Sequence, residues 1–448
     1  MKTVKKFMLA LSVLALCAPA GYAQSGKWTL EECIRHAVEH NITVKQLELR
    51  RKNSEIDLNT ARSSRLPDLN SSIGQNWNFG RTQIQSGLYE NRNQSNTNFS
   101  ISSSIPLFTG FRIPNEIERT ELDLQAAVQN LEKAKDDLAL NIASLFLQVL
   151  FNRELLKITA DQLSFSRYQV ERTADLIRYE KAPAAQLNDI EAQAANDEVA
   201  LVQAENNLKL ALLDLRQSLE LEQAEDFDVS IPEFDNVLEG YSAGLDTPQT
   251  VFDNAVQTRP AVREQELRVK SAEKTLKIAQ SGYYPSLNMS MGYGTNYFFL
   301  YSRSFTNRGL SDQLKNNGSE YIGLSLNIPV FNRYSVRNQV KSARLNIENQ
   351  RLVLENTRKT LFKEIQTASQ NAVAAMEKYR ASGKAVKAAS ESFNSTSVKY
   401  ENGKAGVFEF NEAKTRLLKC QSEELQAKYE YVFRTKILEF YNGKEMKL

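Results

Sequence analysis

The sequence predicts a mainly α-helical protein with a small β part. Three features support this: the chain repeats itself, each copy contains a very long helical pattern, and four short segments alternate apolar and polar residues. The predicted architecture is an α-barrel of long helices. Each chain adds four strands to a 12-stranded transmembrane β-barrel that three chains share.

The duplication is visible in short matching segments. Residues 66–70 (LPDLN) match residues 284–288 (YPSLN), and residues 105–108 (IPLF) match residues 328–331 (IPVF). We therefore predict a first repeat over residues 24–223 and a second over residues 248–448. An acidic connector over residues 224–247 joins them. Each copy is predicted to contain a helix, two strands, a very long helix, a turn and a further helix.

The first 23 residues have the composition of a secretory signal peptide. Lys2, Lys5 and Lys6 precede an apolar run over residues 7–16, and small residues follow up to Ala23. Ten apolar residues are too few to span a bilayer, so residues 1–23 are predicted to be removed on export. No later run of 18 apolar residues occurs, so no transmembrane helix is predicted.

The first element of each copy is predicted to be a helix, which in the first copy covers residues 29–65. Strands follow. Apolar Ile73 and Trp77 alternate with Ser and Asn, and the pattern recurs around Ile101, Met289 and Leu324. A polar face of Ser, Asn and Gly with aromatic residues near the strand ends is typical of outer-membrane β-barrels. We predict that these apolar residues face lipid and that Ser102 faces the lumen.

Four strands cannot close a barrel by themselves. Open strand edges in lipid would leave backbone N–H and C=O groups without partners, at a cost of several kcal/mol each. Several chains must therefore contribute to one barrel, and three chains supply the even number of twelve strands.

The longest helical pattern covers residues 115–178, where neither Pro nor Gly occurs. A helix of that length measures about 96 Å at 1.5 Å per residue. Leu124, Val128, Leu131 and Leu138 follow the spacing of a helix core, and Ala residues widen that apolar stripe. A helix packed on both sides, as in a tube, fits this pattern. An antiparallel coiled coil fits the helices equally well but would not need the alternating strands.

Composition argues against an enzyme and against nucleic-acid binding. The formal net charge is only +2, and the chain has 2 His and 3 Cys. We predict no catalytic residue, no cofactor and no metal site. One alternative remains in residues 36–40, where His36, Glu39 and His40 have the spacing of an inverted zinc-peptidase motif. A periplasmic coiled-coil adaptor is the other alternative.

Together, the signal peptide, the duplicated strand entries and exits, and two turns resemble the TolC family of outer-membrane efflux proteins. The turns are residues 178–182 (RYEKA) and 399–403 (KYENG). The resemblance implies a homotrimeric, passive exit duct for efflux or secretion. It would lie in the outer membrane, contact outer-membrane lipid and extend into the periplasm. Its partners would be a periplasmic adaptor protein and an inner-membrane transporter.

The resemblance also implies site residues at the two turns. The adaptor would contact Tyr179, Lys181 and Ala182 on the first turn, and Gly403 and Lys404 on the second. In the family a Gly is usual where Ala182 stands. The gate at the closed periplasmic end would consist of Glu409 and Glu412, which line the entrance, and of Tyr400 bonded to Asn188.

Overall fold

The computed structural model describes residues 27–83, 87–180, 183–221, 227–231, 247–302, 305–444 and 446. The predicted signal peptide and most of the predicted connector lie outside these residues. Within them the chain forms helices and strands in the following order: α1 (Leu30–His40), α2 (Ile42–Ser63), β1 (Asn70–Asn78), β2 (Arg81–Gln83), β3 (Tyr89–Asn91), β4 (Gln94–Phe108), α3 (Arg112–Arg178), α4 (Ala185–Ser218), α5 (Pro248–Thr258), α6 (Pro260–Ser281), β5 (Ser286–Leu300), α7 (Leu310–Asn316), β6 (Ser319–Asn327), α8 (Ser335–Glu401) and α9 (Val407–Tyr441).

The same series of helix lengths occurs twice. A helix of 11 residues and one of 22 precede the main strands of each half. A helix of 67 residues follows the strands, and then one of 34 or 35 residues. At 1.5 Å per residue, α3 and α8 are each about 100 Å long. The bounds of the predicted repeats themselves stay a prediction.

The prediction of one helix over residues 29–65 was wrong, because the chain breaks at Asn41. The backbone of Asn41 is extended (ψ 130°), and its side chain accepts hydrogen bonds from the N–H groups of Thr43 and Val44 at 2.9 and 3.3 Å. Asn41 therefore ends α1 and caps α2. The second half breaks at the corresponding Arg259, ahead of Pro260.

Four antiparallel strands form the main sheet in the order β1-β4-β5-β6. Ile73 pairs with Phe99, Ile101 with Tyr293, and Met289 with Leu324. Because directly paired residues share a face, Ile73, Ile101, Met289 and Leu324 all lie on one face. The side chains of Ile73, Ile101 and Leu324 are exposed, as are those of Ile322 and Leu326, and Met289 is half-buried.

The opposite face of the sheet is polar. Ser72 and Ser100 are hydrogen-bonded to each other at 2.8 Å, and Asn296 donates to Asn96 at 3.2 Å. Two elements were not predicted: the polar loop over residues 81–92 contains the β2–β3 ribbon, and α7 covers the end of β5. Both lie at the end of the sheet that is farthest from the long helices.

Sharp turns connect the sheet to the long helices. Gly110 and Phe111 precede α3, and Arg333 and Tyr334 precede α8; all four have φ between 55° and 67°. At Gly110 a Cβ atom would lie 2.6 Å from the carbonyl oxygen of Ser281, so a side chain does not fit. Glycine is therefore required there both by the backbone and by close packing.

The helices form two layers, one next to the sheet and one farther from it, and α3 and α8 run through both. Next to the sheet the packing order is α2, α3, α6, α8, and on the far side it is α4, α3, α9, α8. The largest apolar core lies at the middle, where α1, α3, α4 and α9 bury Leu30, Phe146, Leu150, Leu215 and Val432. Residues 227–231 return to this core, where Val229 bridges to Trp28.

Candidate functional site at the two helical tips

Two turns lie at the end of the helices that is farthest from the sheet. The first tip is residues 179–184, between α3 and α4, and the second tip is residues 402–406, between α8 and α9. In the second tip Gly403 has φ +69°. Its N–H donates to the carbonyl of Tyr400 at 3.0 Å, and the N–H of Lys404 donates to that of Lys399 at 2.8 Å. This is the Schellman arrangement that ends helices at a left-handed glycine.

The first tip ends its helix in the same way but without glycine. Glu180 has φ +54°, and its N–H donates to the carbonyl of Ile177 at 2.9 Å. Since α3 and α8 have equal lengths, Glu180 corresponds to Gly403. In this structure the residue that matches the backbone of Gly403 is thus Glu180, whereas the expectation for Ala182 stays a prediction. Lys181 and Ala182 lie outside the described residues.

The predicted adaptor-contacting residues that the structure describes are exposed. Tyr179, Gly403 and Lys404 all lie on the surface, and no atom lies within 4 Å of where a Cβ on Gly403 would be. Glycine at position 403 is thus required by the backbone and not by crowding.

The predicted partner of Tyr400 was wrong. Nε2 of Gln186, in the first turn of α4, donates to the Tyr400 hydroxyl at 2.7 Å. Asn188 is exposed. Residues two apart on a helix point about 200° apart, so Gln186 and Asn188 cannot face the same side chain. The bond joins the last turn of α8 to the first turn of α4, next to the two tips, and it is neutral.

Tyr400 belongs to a group of four aromatic rings in contact, which we call the tip aromatic cluster: Phe165, Phe393, Tyr400 and Phe410. Tyr400 stacks on Phe410 with 4.7 Å between ring centroids. Phe410 also contacts Phe393 at 5.6 Å and Phe165 at 6.1 Å. Phe410 is 2% exposed, so the cluster joins α3, α8 and α9 through a buried ring.

Glu409 and Glu412 both lie exposed on the first turns of α9. Glu412 accepts a hydrogen bond from Arg416 at 3.0 Å. It also lines a groove of about 680 Å³ between α4 and α9, together with Asp189, Phe408 and Arg416. Glu412 therefore lies beside an arginine and a second carboxylate, Asp189, next to the exposed ring of Phe408.

Sequence reasoning missed a buried polar group above the tips, which we call the buried lysine cluster: Ser166, Asp197 and Lys414. Nζ of Lys414 donates to Oδ2 of Asp197 at 2.9 Å and also to the Ser166 hydroxyl, which donates to the same carboxylate. Burial lowers the pKa of Lys414, although Asp197 opposes that shift. The cluster joins α3, α4 and α9.

One signal could have revealed this cluster. Ile190, Asp197, Ala204 and Ala211 follow one another at intervals of seven along α4, and all four are buried. An aspartate at a heptad core position needs a partner, because an unpaired buried charge is very costly.

The alternative zinc site is not favoured by the geometry. The rings of His36 and His40 stack face to face at 4.0 Å, and Nδ1 of His40 lies 3.0 Å from the carbonyl oxygen of His36. Burial, followed by the neighbouring His40, lowers the pKa of His36. Across the part of the chain that the structure describes, no group of three or more His, Cys, Asp or Glu residues could hold a metal ion.

Comparisons with known proteins agree with this architecture. The family described as outer membrane efflux protein matches residues 33–220 and 251–441. Outer membrane protein TolC of Salmonella enteritidis is 24% identical over 380 residues, which cover 84% of this chain and 74% of that protein. Outer membrane protein TolC of Vibrio cholerae is 23% identical over 436 residues, covering 95% and 93%.

The fold is also shared with solved structures. Crystal structures of CusC cover 96% of each chain with a TM-score of 0.76 at 15% identity. Among the described helices, none has the length and apolar character needed to cross a membrane. The family match spans both halves of the helical structure. The chain therefore belongs to the outer membrane efflux protein family and is an outer-membrane exit duct that extends into the periplasm.

Proposed function

We propose that three copies of this chain form one passive channel. The main sheet carries this proposal: its apolar face is exposed, its other face is polar, and β1 and β6 are open edges. In a bilayer those edges need partners, since unpaired backbone groups are costly there. Pairing β1 of one copy with β6 of the next closes a barrel of twelve strands, with the Ser and Asn face toward the lumen.

Exposed apolar stripes on the edge helices support the same assembly. Near the sheet the edges are α2 and α8. Ile42, Leu49 and Ile56 are spaced by seven along α2, and Leu345 and Leu352 are spaced by seven along α8. Isolated proteins rarely expose such stripes. A second copy would cover them by packing α2 against the neighbouring α8.

The far layer has the same kind of edges. Here α4 and α8 are the edge helices, and both expose apolar side chains within the described part of the chain. Those on α4 are Val199, Val202, Leu210 and Leu213, and those on α8 include Val373 and Val398. Three copies would thus close a tube of helices beneath the barrel.

The gate is proposed at the tips of this tube. Glu409 and Glu412 from three chains would bring six carboxylates to the entrance, and such rings favour cations over anions. Tyr400 would hold the second tip on the first tip. Asn188, which faces away from Tyr400, would lie toward the neighbouring chain.

The exposed tips are the proposed docking surface for a periplasmic adaptor, which would couple the duct to an inner-membrane transporter. The contacting residues would be Tyr179, Lys181, Ala182, Gly403 and Lys404. No catalytic residue is assigned, because the proposed duct is passive and the pump would supply the energy.

The test uses the purified full-length protein in detergent and in planar bilayers. Light scattering should give a mass about three times that of one chain. Glu409→Gln with Glu412→Gln should reduce cation selectivity and block by multivalent cations. Glu423→Gln, an exposed carboxylate further along α9, is the control. Unchanged selectivity in the double variant would contradict the gate, and a monomer would contradict the channel.

A further inference from the structure

The main sheet meets the long helices at two kinds of junction. Inside one chain, the end of β4 lies beside the start of β5, and Phe111 contacts Tyr284 there with 6.1 Å between ring centroids. In the proposed trimer, the end of β6 lies beside the start of β1 of the next copy. We call the first the in-chain junction and the second the chain-to-chain junction.

The repeat relates the two junctions residue by residue. Residues 66–70 match residues 284–288 at a shift of 218, and residues 105–108 match residues 328–331 at a shift of 223. The structure agrees with the second shift, because an aromatic pair packs edge to face at the start of both long helices, with ring centroids 5.3 and 5.6 Å apart. The pairs are Phe108 with Phe111 and Phe331 with Tyr334.

The two long helices begin with different charges. Residues 333–344, at the chain-to-chain junction, contain four basic and no acidic residues, whereas the corresponding residues 110–121 contain two basic and three acidic residues. The net charges of these segments are therefore +4 and −1. Arg65, which precedes β1 and also lies at the chain-to-chain junction, corresponds to the uncharged Tyr283. The basic residues in the first segment are Arg333, Arg337, Lys341 and Arg344.

The three arginines Arg65, Arg333 and Arg337 are available to a ligand. All are exposed, and none forms an ion pair with a carboxylate in the part of the chain that the structure describes. Asp68, the carboxylate closest to Arg65 in sequence, already accepts a hydrogen bond from the N–H of Ser104 at 2.6 Å. The positive charge at the chain-to-chain junction is thus left for a partner to neutralise.

The basic residues lie on the apolar side of the sheet. Phe108, Leu287 and Leu326 pair across three strands and therefore share the apolar face. The ring pair that corresponds to Phe108 and its partner includes Tyr334, and the Arg337 guanidinium lies over the Tyr334 ring, 5.7 Å from its centroid. The opposite side of α8 is uncharged and polar, like the opposite face of the sheet; its residues include Ser335, Gln339, Ser342 and Asn346.

The chain-to-chain junction must also be the more open one. At Gly110, in the in-chain junction, a Cβ atom would lie 2.6 Å from the carbonyl oxygen of Ser281 and 2.8 Å from the Cβ of Tyr284. The corresponding residue is Arg333, which has a Cβ and a long side chain. The end of β6 therefore cannot approach the next copy as closely as the end of β4 approaches the start of β5. A gap lined by arginines follows.

We propose that each chain-to-chain junction binds an anionic phospholipid of the periplasmic leaflet. This inference rests on the proposed trimer. The lipid phosphate accepts hydrogen bonds from Arg333 and Arg337 of one copy and from Arg65 of the next, because a guanidinium group matches the geometry of phosphate oxygens. The acyl chains lie along Leu66 and Val330, which are 64% and 93% exposed. Each lipid thus joins two copies, and one trimer holds three.

The first experiment counts bound lipids on the purified full-length protein by native mass spectrometry in detergent. The probes are dioleoyl phosphatidylglycerol, which is anionic, and dioleoyl phosphatidylcholine, which is not. The trimer should retain up to three molecules of the first and none of the second. Arg333→Gln and Arg337→Gln should each weaken phosphatidylglycerol binding about fivefold. Arg112→Gln removes an exposed arginine at the in-chain junction and should leave the binding unchanged.

Two results would overturn the inference: equal retention of both lipids by the trimer, or equal loss of phosphatidylglycerol in the Arg112→Gln and Arg337→Gln variants. A mass of one chain would instead contradict the proposed trimer, so failure of the lipid site and failure of the trimer are distinguishable.

A second experiment tests where the lipid binds. In a Trp77→Phe background, tryptophan is placed at the chain-to-chain junction by Leu66→Trp or at the matching in-chain position by Tyr284→Trp. Bilayers contain equal parts of the two lipids, one of them brominated in its acyl chains to quench fluorescence. Trp28 packs against the middle core and adds a constant background.

Quenching at position 66 should be several-fold stronger when phosphatidylglycerol carries the bromine. At position 284 the two brominated lipids should quench equally. The same ratio at both positions would show that the chain-to-chain junction does not select an anionic head group, and the inference would be wrong.

Discussion

The two halves of this chain have the same helices and strands, but they differ in chemistry at the tips. Their long helices are both 67 residues, and their buried positions coincide through most of that length. The left-handed residue that ends the long helix is Gly403 in one half and Glu180 in the other. Ser166 accepts a hydrogen bond from a buried lysine, whereas alanine occupies the corresponding position 389. Duplication thus accounts for the shared architecture, while divergence gives the two tips different chemistry.

The largest effect is expected at the buried lysine cluster. Asp197→Ala leaves a buried ammonium without its carboxylate and should lower the free energy of unfolding by about 3–5 kcal/mol. Glu198→Ala removes only an exposed pair with Arg167 and should cost about 1 kcal/mol or less. Denaturant unfolding in detergent measures both. If Asp197→Ala costs no more than Glu198→Ala, the buried lysine cluster does not stabilise the packing of α3, α4 and α9.

In the sheet, the strands of both halves have one apolar and one polar face. Ile101 and Ser102 are neighbours on opposite faces. Ile101→Arg should therefore cost about 2–4 kcal/mol in a bilayer, whereas Ser102→Arg should be tolerated. Met289→Arg and Ser290→Arg should reproduce this difference in the second half. Assembly into the outer membrane is the measurement, and equal tolerance on both faces would refute the assignment of the lipid face.

Exchanging the tip residues tests the difference between the two turns. Gly403→Ala should lower stability by about 1 kcal/mol, because alanine is strained at φ +69°. Glu180→Gly should raise stability by about the same amount, since it relieves a left-handed non-glycine residue. Hydrogen exchange at the ends of α3 and α8 reports both changes. If both variants raised stability, or if both lowered it, the two turns would not be equivalent.

The smallest effect is expected in the core of the first half. Cys33 corresponds to Val251, and both are fully buried. Cys33→Val should therefore change stability by about 1 kcal/mol or less. Burial raises the pKa of the Cys33 thiol to about 12, so at pH 8 it should resist alkylation while Cys420 reacts. Rapid alkylation of Cys33 in the folded protein would show that this core opens readily.

Several features of the fold were predictable because they depend on local pattern. Alternation predicted all four membrane strands and their common apolar face. The absence of Pro and Gly over residues 115–178 predicted the first long helix, which begins only three residues earlier. The break at Asn41 was missed because asparagine is compatible with a helix. In the second half, Pro260 directly follows the corresponding Arg259, and this proline is the signal that could have located the break.

At the tips, sequence reasoning identified the right segments but not every partner. Tyr400 was predicted to bond to Asn188 at the start of α4, but it bonds to Gln186 on the same helix. That choice depends on the rotation of α4 against α8. Such a rotation is set by packing, since residues two positions apart on a helix face opposite sides.

By itself, the sequence determined the repeat, the long helices, the strands and their lipid-compatible face, because each follows from periodicity within one segment. Only the tertiary structure decided which side chains meet across segments. Ser166, Asp197 and Lys414 are separated by 31 to 248 positions. From the sequence alone, a lysine on a helix that carries several other charged residues is predicted to be exposed to solvent. Its burial results from the packing of α3, α4 and α9, in which the positions of all three helices are coupled.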